Sequence, residues 1–382
     1  MKKFVVAIDS FKGSLTSMQA GTAACRAIQD ALPNAAVRVF PVADGGEGTV
    51  DALTEGLRGR IVTTEVTGPL GKIIKSRYGL LPDRTAVIEM ADAAGLTMVP
   101  KSQRNPLYTT TYGLGELILE AAEIGCRHFI IGIGGSATND CGLGMLSALG
   151  ARFYRADGTP AGFYGRDLHD IETVDFRRLA PVLKSCTFEI ACDVTNPLCG
   201  ENGCSAVFGP QKGATPEIVA RMDADICRFA GLVERACDTF GMRAPGAGAA
   251  GGLGFAFRVV LGGQLTPGID LILRAIHIED ALKTADYLIT GEGRLDAQTA
   301  MGKAPVGIAR LAHRVKPRIT TIAVCGCAAP EAAAVNHAGI DAYFPIIQTP
   351  MSVEEAMEPS TAVRSLQRTV TQIARLIDAV TY

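Results

Sequence analysis

The chain has 382 residues, 48% of them hydrophobic and 20% charged, with a net charge of -2. This balance is typical of a soluble globular enzyme and lacks the basic excess of a nucleic-acid-binding protein, so no nucleic-acid partner is expected. Single hydrophobic cores rarely exceed about 250–300 residues, so the length predicts two domains.

The chain carries no sign of export or of membrane insertion. Asp9 and Lys12 interrupt the short apolar run at the N-terminus before a signal-peptide core could form. No apolar run approaches the roughly 20 residues that span a bilayer. The 11 cysteines are scattered and lack zinc-ligand spacing, which favours reduced thiols. We therefore expect a cytoplasmic protein without a membrane partner.

The first predicted strand covers residues 4–8 and ends in a polar turn that carries Asp9, Ser10 and Lys12. Thr16 and Gln19 have capping-box spacing and predict a helix from Ser17 to Leu32. Lys12 precedes this helix, where it would suit a phosphate or a carboxylate. The alternative is a solvated lysine in a loop.

A second predicted strand, residues 37–42, also ends in a charged, glycine-rich turn. This turn contains Asp44 and Glu47, and a helix begins near Thr49. The pattern then changes to short apolar segments without room for helices between them, which indicates hairpins. These segments are 60–67, 73–81 and 85–90.

A third polar turn follows a predicted helix, Thr111 to Ile124, and a predicted strand, residues 128–133. Backbone donors and hydroxyl groups in this turn could hold an anion, and its carboxylate could hold a metal ion or a substrate hydroxyl group. The polar residues of the turn are Ser136, Thr138, Asn139 and Asp140.

A fourth polar turn follows the predicted strand 188–191 and contains Asp193 and Asn196. Burial of an unpaired carboxylate directly after apolar residues would be costly, so Asp193 is expected to have a partner or a ligand. Further on, Thr215 as N-cap and Pro216 at the first helical position predict a helix start, with Lys212 just ahead of it.

The stretch from Ala285 to Lys303 predicts a buried strand that stops at Thr290. Glycines at 291 and 293 then predict a tight turn. From this turn project Glu292, Arg294 and Asp296. In open α/β sheets ligands bind beyond the carboxyl ends of the strands, so these charges mark a candidate site. The alternative is that they pair with one another on a solvated turn.

Strands and helices alternate at both ends of the chain, whereas the middle contains hairpins. We therefore expect an α/β domain formed from residues 1–66 and 281–382, with an inserted α/β domain from 67 to 280. The active site is expected in the cleft between these domains.

Three classes of function compete. A P-loop is absent, and the glycine patterns at 132–137 and 246–251 match a dinucleotide-binding motif only weakly, which leaves an NAD-dependent oxidoreductase as an alternative. A non-enzymatic protein that binds a small acid is a second alternative. The surplus of carboxylates on strand-end turns instead favours a divalent cation and hence a phosphorylated nucleotide, with lysine and arginine to balance the phosphoryl charge.

The chain resembles the bacterial glycerate kinase type 1 family along nearly its whole length. The resemblance is carried by DSFKGSL at 9–15, ADGGEGT at 43–49, GIGGSATND at 132–140, ACDVTNPLCG at 191–200, FGPQKGAT at 208–215, PGAGAAGGLG at 245–254 and ITGEGRLDAQT at 289–299. It implies two α/β domains, one of them Rossmann-like or flavodoxin-like. It also implies ATP-dependent phosphorylation of glycerate with Mg²⁺, usually at the 2-hydroxyl group, and leaves phosphorylation at the 3-hydroxyl group open.

These motifs carry our predicted site. A carboxylate would orient or deprotonate the glycerate hydroxyl group, with Asp193 preferred and Asp296 second. Arg294 would grip a carboxylate or a phosphate with its planar fork, and Lys12 would stabilise the transferring group. The predicted substrate and phosphate contacts are Asp9, Ser10, Ser136, Asn139, Asn196, Lys212 and Lys303, and the predicted Mg²⁺ ligands are Asp44, Glu47 and Glu292. The oligomeric state, including a homo-oligomer, stays open.

Overall fold

The computed structural model describes residues 1–380. Its strands are β1 Lys3–Ile8, β2 Ala36–Val39, β3 Arg60–Thr67, β4 Ile73–Leu80, β5 Thr85–Glu89, β6 His128–Gly132, β7 Arg152–Tyr154, β8 Thr173–Asp175, β9 Thr187–Ala191, β10 Gln264–Thr266, β11 Tyr287–Leu295, β12 Thr320–Ala328 and β13 Ala342–Pro345.

The α-helices are α1 Ser17–Ala31, α2 Thr49–Gly56, α3 Ala91–Ala94, α4 Tyr112–Glu123, α5 Leu143–Ala148, α6 Cys204–Phe208, α7 Pro216–Cys237, α8 Leu253–Val260, α9 Gly268–Ala275, α10 Glu279–Thr284, α11 Ala297–Ala300, α12 Ala304–Val315, α13 Ala334–His337, α14 Val353–Met357 and α15 Pro359–Val380. Among residues 1–380, no helix combines the length and the apolar character needed to cross a membrane. The predicted α/β class is confirmed.

The chain forms two compact units. The first contains Met1–Asp44, Asp51–Arg58 and the chain from Ile269 onward, and the second contains Gly45–Val50 and Gly59–Gly268. The predicted boundary at residue 66 grouped β3 with the chain ends, whereas β3 pairs antiparallel with β4 in the sheet of the second unit. The predicted boundary at residue 280 likewise grouped α9 with the insertion, whereas α9 belongs to the first unit.

The first unit contains a five-stranded parallel sheet in the order β13-β12-β11-β1-β2. Within this unit the order is that of a flavodoxin-like sheet, because the second strand lies on one side of the first and all later strands lie on the other. The chain therefore reverses its direction of winding between β1 and β11. At such a point the loops after the two strands diverge and leave a crevice.

The sheet of the first unit is buried on both faces. In β12, Ile322 and Val324 pack in one apolar cluster with α1 and α15, whereas Ala323 and Cys325 pack in another cluster with α12 and α13. This alternation follows from the two-residue period of a strand. Burial on both faces explains why strands such as β1 appear in the sequence as continuous apolar runs.

The predicted end of β11 is wrong. β11 does not stop at Thr290 but continues to Leu295 and pairs with β12 over its whole length. Gly291 lies in this strand and not in a turn. Glycine is needed there because the backbone of Val324 comes so close that a Cβ atom on residue 291 would lie 2.0 Å from its carbonyl oxygen. α9 and α10 are separate helices, since His277 between them adopts a left-handed φ of 50°.

The second unit contains a mixed sheet in the order β10-β9-β6-β5-β4-β3 and a small antiparallel pair, β7 and β8. β3, β4 and β5 form the predicted antiparallel hairpins, while β5, β6, β9 and β10 run parallel. Apolar side chains of these strands pack with α4, α7 and α8 in one continuous core. This core holds the polar turn that follows β6.

Candidate active site

A cavity of about 440 Å³ lies at the carboxyl edge of the first unit's sheet. Residues that follow β1, β2 and β13, and the last residues of β11 and β12, contribute to its wall. It therefore lies where the winding order predicts a ligand crevice. Eight of the predicted site residues line it: Asp9, Ser10, Lys12, Asp44, Glu292, Arg294, Asp296 and Lys303.

Asp9 is the most strongly perturbed carboxyl group of this cavity. Its side chain directly follows β1 and is only 6% exposed. Burial, followed by the nearby charge of Asp44, raises the pKa of Asp9 to about 7, although the backbone N–H of Ser10 donates to Asp9 Oδ1 at 2.6 Å and opposes the shift. The site thus holds a carboxylate whose negative charge is poorly compensated by the protein itself.

Glu292 lies on the next strand and is half-buried. Burial raises the pKa of Glu292, and the charges of Asp296 and Asp44 raise it further. The hydroxyl group of Thr299 donates to Glu292 Oε1, and Lys303 opposes the shift electrostatically. Because Glu292 and Arg294 are two positions apart in β11, their side chains share one face of the strand and both reach the cavity.

The carboxylates suit a divalent cation that arrives with a phosphorylated ligand. Asp9 and Glu292 each feel the repulsive charge of Asp44, a repulsion that a cation would relieve. Within residues 1–380, however, no group of three or more His, Cys, Asp or Glu side chains could hold a metal ion by itself. Mg²⁺ fits this arrangement, since it commonly binds through one or two carboxylates and substrate phosphates and keeps several waters.

Asp296 also has a structural task in the cavity wall. Its Oδ1 atom accepts from the backbone N–H groups of Gln298 at 2.9 Å and Thr299 at 3.3 Å, so that it caps α11.

Two cationic side chains of the wall, Lys12 and Arg294, are exposed. They are thus accessible to an anionic ligand.

Sequence reasoning missed the apolar wall of the cavity. The stretch from residue 346 to residue 357, between β13 and α15, contributes Ile346, Ile347, Met351, Val353 and Met357. A cluster of apolar residues in a connection between predicted elements was the available signal, because such connections are usually polar.

The second unit contains a buried cation. Lys212 is 3% exposed, and its ammonium group donates to Ser136 Oγ at 2.7 Å and to the carbonyl oxygen of Thr138 at 2.6 Å. Burial lowers the pKa of Lys212 to about 8, while the nearby Cys204 and Asp140 oppose this shift. The structure therefore brings together two predicted contact residues, Lys212 and Ser136, in the interior of this unit.

Two neighbouring polar residues are buried in the core. Asn139 is 1% exposed and donates from Nδ2 to Ser205 Oγ at 2.9 Å, while its Oδ1 atom is buried without a hydrogen-bond partner. Asp140 accepts from the backbone N–H and the hydroxyl group of Thr111 at 2.8 and 2.7 Å, and from two further N–H groups, those of Gly142 and Gly144. These bonds give Asp140 a structural role in place of the predicted metal or hydroxyl contact.

The remaining predicted residues also lie in the second unit. Asp193 follows β9 and accepts at Oδ1 from the backbone N–H of Gly268 at 2.8 Å, but it is exposed, so the burial cost that led us to expect a partner is absent. Asn196 donates to the carbonyl oxygen of Asn202 at 2.9 Å. Glu47 is exposed in the glycine-rich turn before α2.

Comparisons with known proteins point to one family. A sequence profile of the glycerate kinase family matches residues 4–378. The chain is 49% identical over 346 residues to a glycerate kinase of Haemophilus influenzae, covering 90% of this chain and 91% of that protein. It is 42% identical over 355 residues to a glycerate 2-kinase of Escherichia coli, covering 93% of each chain. A crystal structure described as glycerate kinase 2 from Salmonella typhimurium LT2 superposes with a TM-score of 0.91 at 44% identity, covering 99% of this chain and 98% of that chain.

Proposed function

The chain belongs to the glycerate kinase family and is a kinase, and we propose that it transfers the γ-phosphoryl group of ATP to the 2-hydroxyl group of D-glycerate with the assistance of Mg²⁺. The observation that carries the proposal is the cavity of the first unit. Its wall combines crowded carboxylates with exposed cations at the carboxyl edge of a flavodoxin-like sheet. This is the pairing of charges that phosphoryl transfer requires.

The cationic side chains bind and orient the phosphates. Arg294 presents a planar fork that matches two oxygens of a phosphate or of the glycerate carboxylate. Lys12 and Lys303 act as point charges along the nucleotide, and Lys212 is the proposed phosphate contact of the second unit. Because they donate to the equatorial oxygens, these groups stabilise charge that is spread over the transferring group.

Of the predicted Mg²⁺ ligands, Asp44 and Glu292 line the cavity and would hold the ion together with phosphate oxygens and waters, whereas Glu47 lies outside this wall. When bound, the ion neutralises charge on the phosphate oxygens. Burial and the nearby charge of Asp44 raise the pKa of Asp9, so added positive charge would favour its ionised form. Ser10 holds Asp9 in place through its backbone N–H group.

A carboxylate removes the proton from the glycerate hydroxyl group as its oxygen forms a bond to phosphorus and ADP leaves. We assign this role to Asp193, whose orientation is supported by the N–H group of Gly268. Asp296 is the alternative, since it lines the cavity while one of its oxygens caps α11. Ser10, Ser136, Asn139 and Asn196 complete the proposed substrate contacts.

Two observations support the remaining parts of the proposal. The E. coli relative is named a glycerate 2-kinase, which favours the 2-hydroxyl group over the 3-hydroxyl group as the acceptor. All 11 cysteines lie in the described part of the chain as free thiols, which favours a reducing compartment such as the cytoplasm.

The test is a coupled assay for ADP release with ATP, Mg²⁺ and D-glycerate, followed by phosphorus NMR of the product. We expect ADP and the signal of 2-phosphoglycerate. A 3-phosphoglycerate signal would support the kinase activity but show that the 3-hydroxyl group, and not the 2-hydroxyl group, accepts the phosphoryl group. Absence of ADP in the presence of D-glycerate would overturn the proposed reaction.

A further inference from the structure

One wall of the cavity in the first unit is not used by the phosphoryl chemistry. We call residues 346–357 the apolar segment, because Ile347, Met351, Val353 and Met357 of this stretch line the cavity. Glycerate has three carbons and offers no apolar surface to such a wall. A cavity of about 440 Å³ is also in the range of a drug-sized ligand.

Three apolar side chains of the segment are exposed. Val353 is 73% exposed, Met357 is 40% exposed and Ile347 is 39% exposed. Apolar side chains clustered on the rim of one cavity, beside a few charged groups, are typical of a ligand-binding site. Because these side chains line one cavity together, the cluster indicates a surface that a ligand covers.

The apolar segment is held in place on both sides. Ser352 and Glu355 form a capping box that fixes the start of α14. At the end of α14, the methyl group of Met357 packs over Gly13, where an added Cβ atom would lie 2.8 Å from Cε. Gly13 follows Lys12, so the apolar wall is attached to the turn that carries a phosphate-binding cation.

We propose that the apolar segment binds the purine base of the nucleotide, with the triphosphate directed toward Lys12, Arg294 and Lys303. This inference rests on the proposed function. A nucleoside triphosphate joins a flat ring with apolar faces to a polyanion, and the cavity joins an apolar wall to a wall of cations and carboxylates. Thioether and aliphatic groups pack well on aromatic faces, which suits Met351, Met357 and Val353 to this role.

The test uses two uncharged substitutions, Val353→Thr and Met357→Ala, and one matched control, Val207→Thr. Val207 is 44% exposed in α6 of the second unit, so the control makes the same chemical change on a surface outside the cavity. Thermal melts would first establish that all three variants are folded. Calorimetric titrations with ADP, adenosine and inorganic tripolyphosphate, in saturating Mg²⁺, then separate contacts to the base from contacts to the phosphates.

We expect both cavity variants to bind ADP and adenosine about 5- to 30-fold more weakly than the parent protein, because some apolar contact area is lost. Tripolyphosphate binding should be unchanged, and Val207→Thr should match the parent with all three ligands. Unchanged ADP affinity in both cavity variants, or an equal loss of tripolyphosphate affinity, would overturn the inference.

Failure of this inference is distinguishable from failure of the proposed function. If the parent protein phosphorylates glycerate while both cavity variants bind ADP normally, the apolar segment does not bind the base and the kinase proposal stands. If the parent binds ADP through the apolar segment but releases no ADP with D-glycerate, the base site stands and the proposed reaction fails.

Discussion

The ammonium nitrogen of Lys212 lies 2.7 Å from the hydroxyl oxygen of Ser136, inside the second unit. Burial lowers the pKa of Lys212 from 10.5 to about 8, so between these values the unfolded chain binds a proton that the folded protein has released. Stability should therefore rise as the pH increases through this window. Below pH 8 both states are protonated, and the full cost of burying the charge is present.

We predict that Lys212→Met removes this rise, which is on the order of 2–3 kcal/mol for a shift of this size. The measurement is the free energy of unfolding in urea at pH 7.5, 9 and 10. Lys184→Met is the matched control, because Lys184 is exposed and should leave the pH dependence intact. An equal slope in the parent and in Lys212→Met would show that Lys212 is not the group responsible.

Asp140 should stabilise the second unit through its hydrogen bonds. Replacement by Asn turns one acceptor oxygen into a donor that faces backbone N–H groups, so Asp140→Asn should lower the free energy of unfolding by about 2–4 kcal/mol. Asp30→Asn, at an exposed position of α1, should change it by less than about 0.5 kcal/mol. Urea denaturation measures both. A change in Asp140→Asn as small as that of the control would contradict the structural role.

Asp9 should destabilise the metal-free protein at neutral and alkaline pH. Its pKa is raised to about 7, so the folded protein binds more protons than the unfolded chain between about pH 4 and pH 7, and stability falls as the pH rises through this window. Asp9→Asn removes the buried charge and keeps an acceptor for the N–H group of Ser10. At pH 8 in EDTA this variant should be more stable by roughly 2–4 kcal/mol.

The advantage of Asp9→Asn should become small near pH 3, where Asp9 is protonated in the folded state and largely protonated in the unfolded chain. Addition of Mg²⁺ should raise the melting temperature of the parent protein more than that of the variant. Thermal melts at the two pH values, with and without Mg²⁺, measure both effects. A variant that is less stable than the parent at pH 8 in EDTA would contradict the electrostatic cost assigned to Asp9.

The sequence predicts several helix starts in both units because local signals and tertiary packing agree there. The capping box of Thr16 and Gln19 forms as predicted, and so does the N-cap of Thr215 ahead of Pro216. Residues 245–254 pack closely against backbone, since a Cβ atom at Gly251 would lie 2.2 Å from the carbonyl oxygen of Thr138. Glycine-rich stretches of this kind indicate positions where a side chain would clash with neighbouring backbone.

The parts that the sequence could not predict depend on partners that are distant along the chain. Gly291 predicts a turn when only its neighbours are considered, but the approach of Val324 makes it a strand residue. The interior position of Lys212 likewise depends on the turn at Ser136, 76 residues earlier. A lysine next to a helix start gives no local sign that its side chain will be buried.

The last prediction concerns the base. Asp193→Asn keeps an oxygen that can accept from the N–H group of Gly268 but cannot take up a proton, so the position of the side chain is conserved while its basicity is lost. If Asp193 is the base, kcat should fall by about 10²- to 10⁴-fold, with the melting temperature nearly unchanged. Asp296→Asn is the matched comparison, since Asn also caps helices well and should leave α11 intact.

The two variants together decide the assignment. A large loss of kcat in Asp193→Asn and a small one in Asp296→Asn would support Asp193 as the base, and the reverse pattern would move the role to Asp296. Steady-state kinetics with both substrates varied separates this chemistry from binding, because a residue that only positions glycerate raises its KM with little effect on kcat. Turnover of Asp193→Asn within a few-fold of the parent would exclude Asp193 as the base, since no group that takes the proton in the transition state can be replaced by an amide at so small a cost.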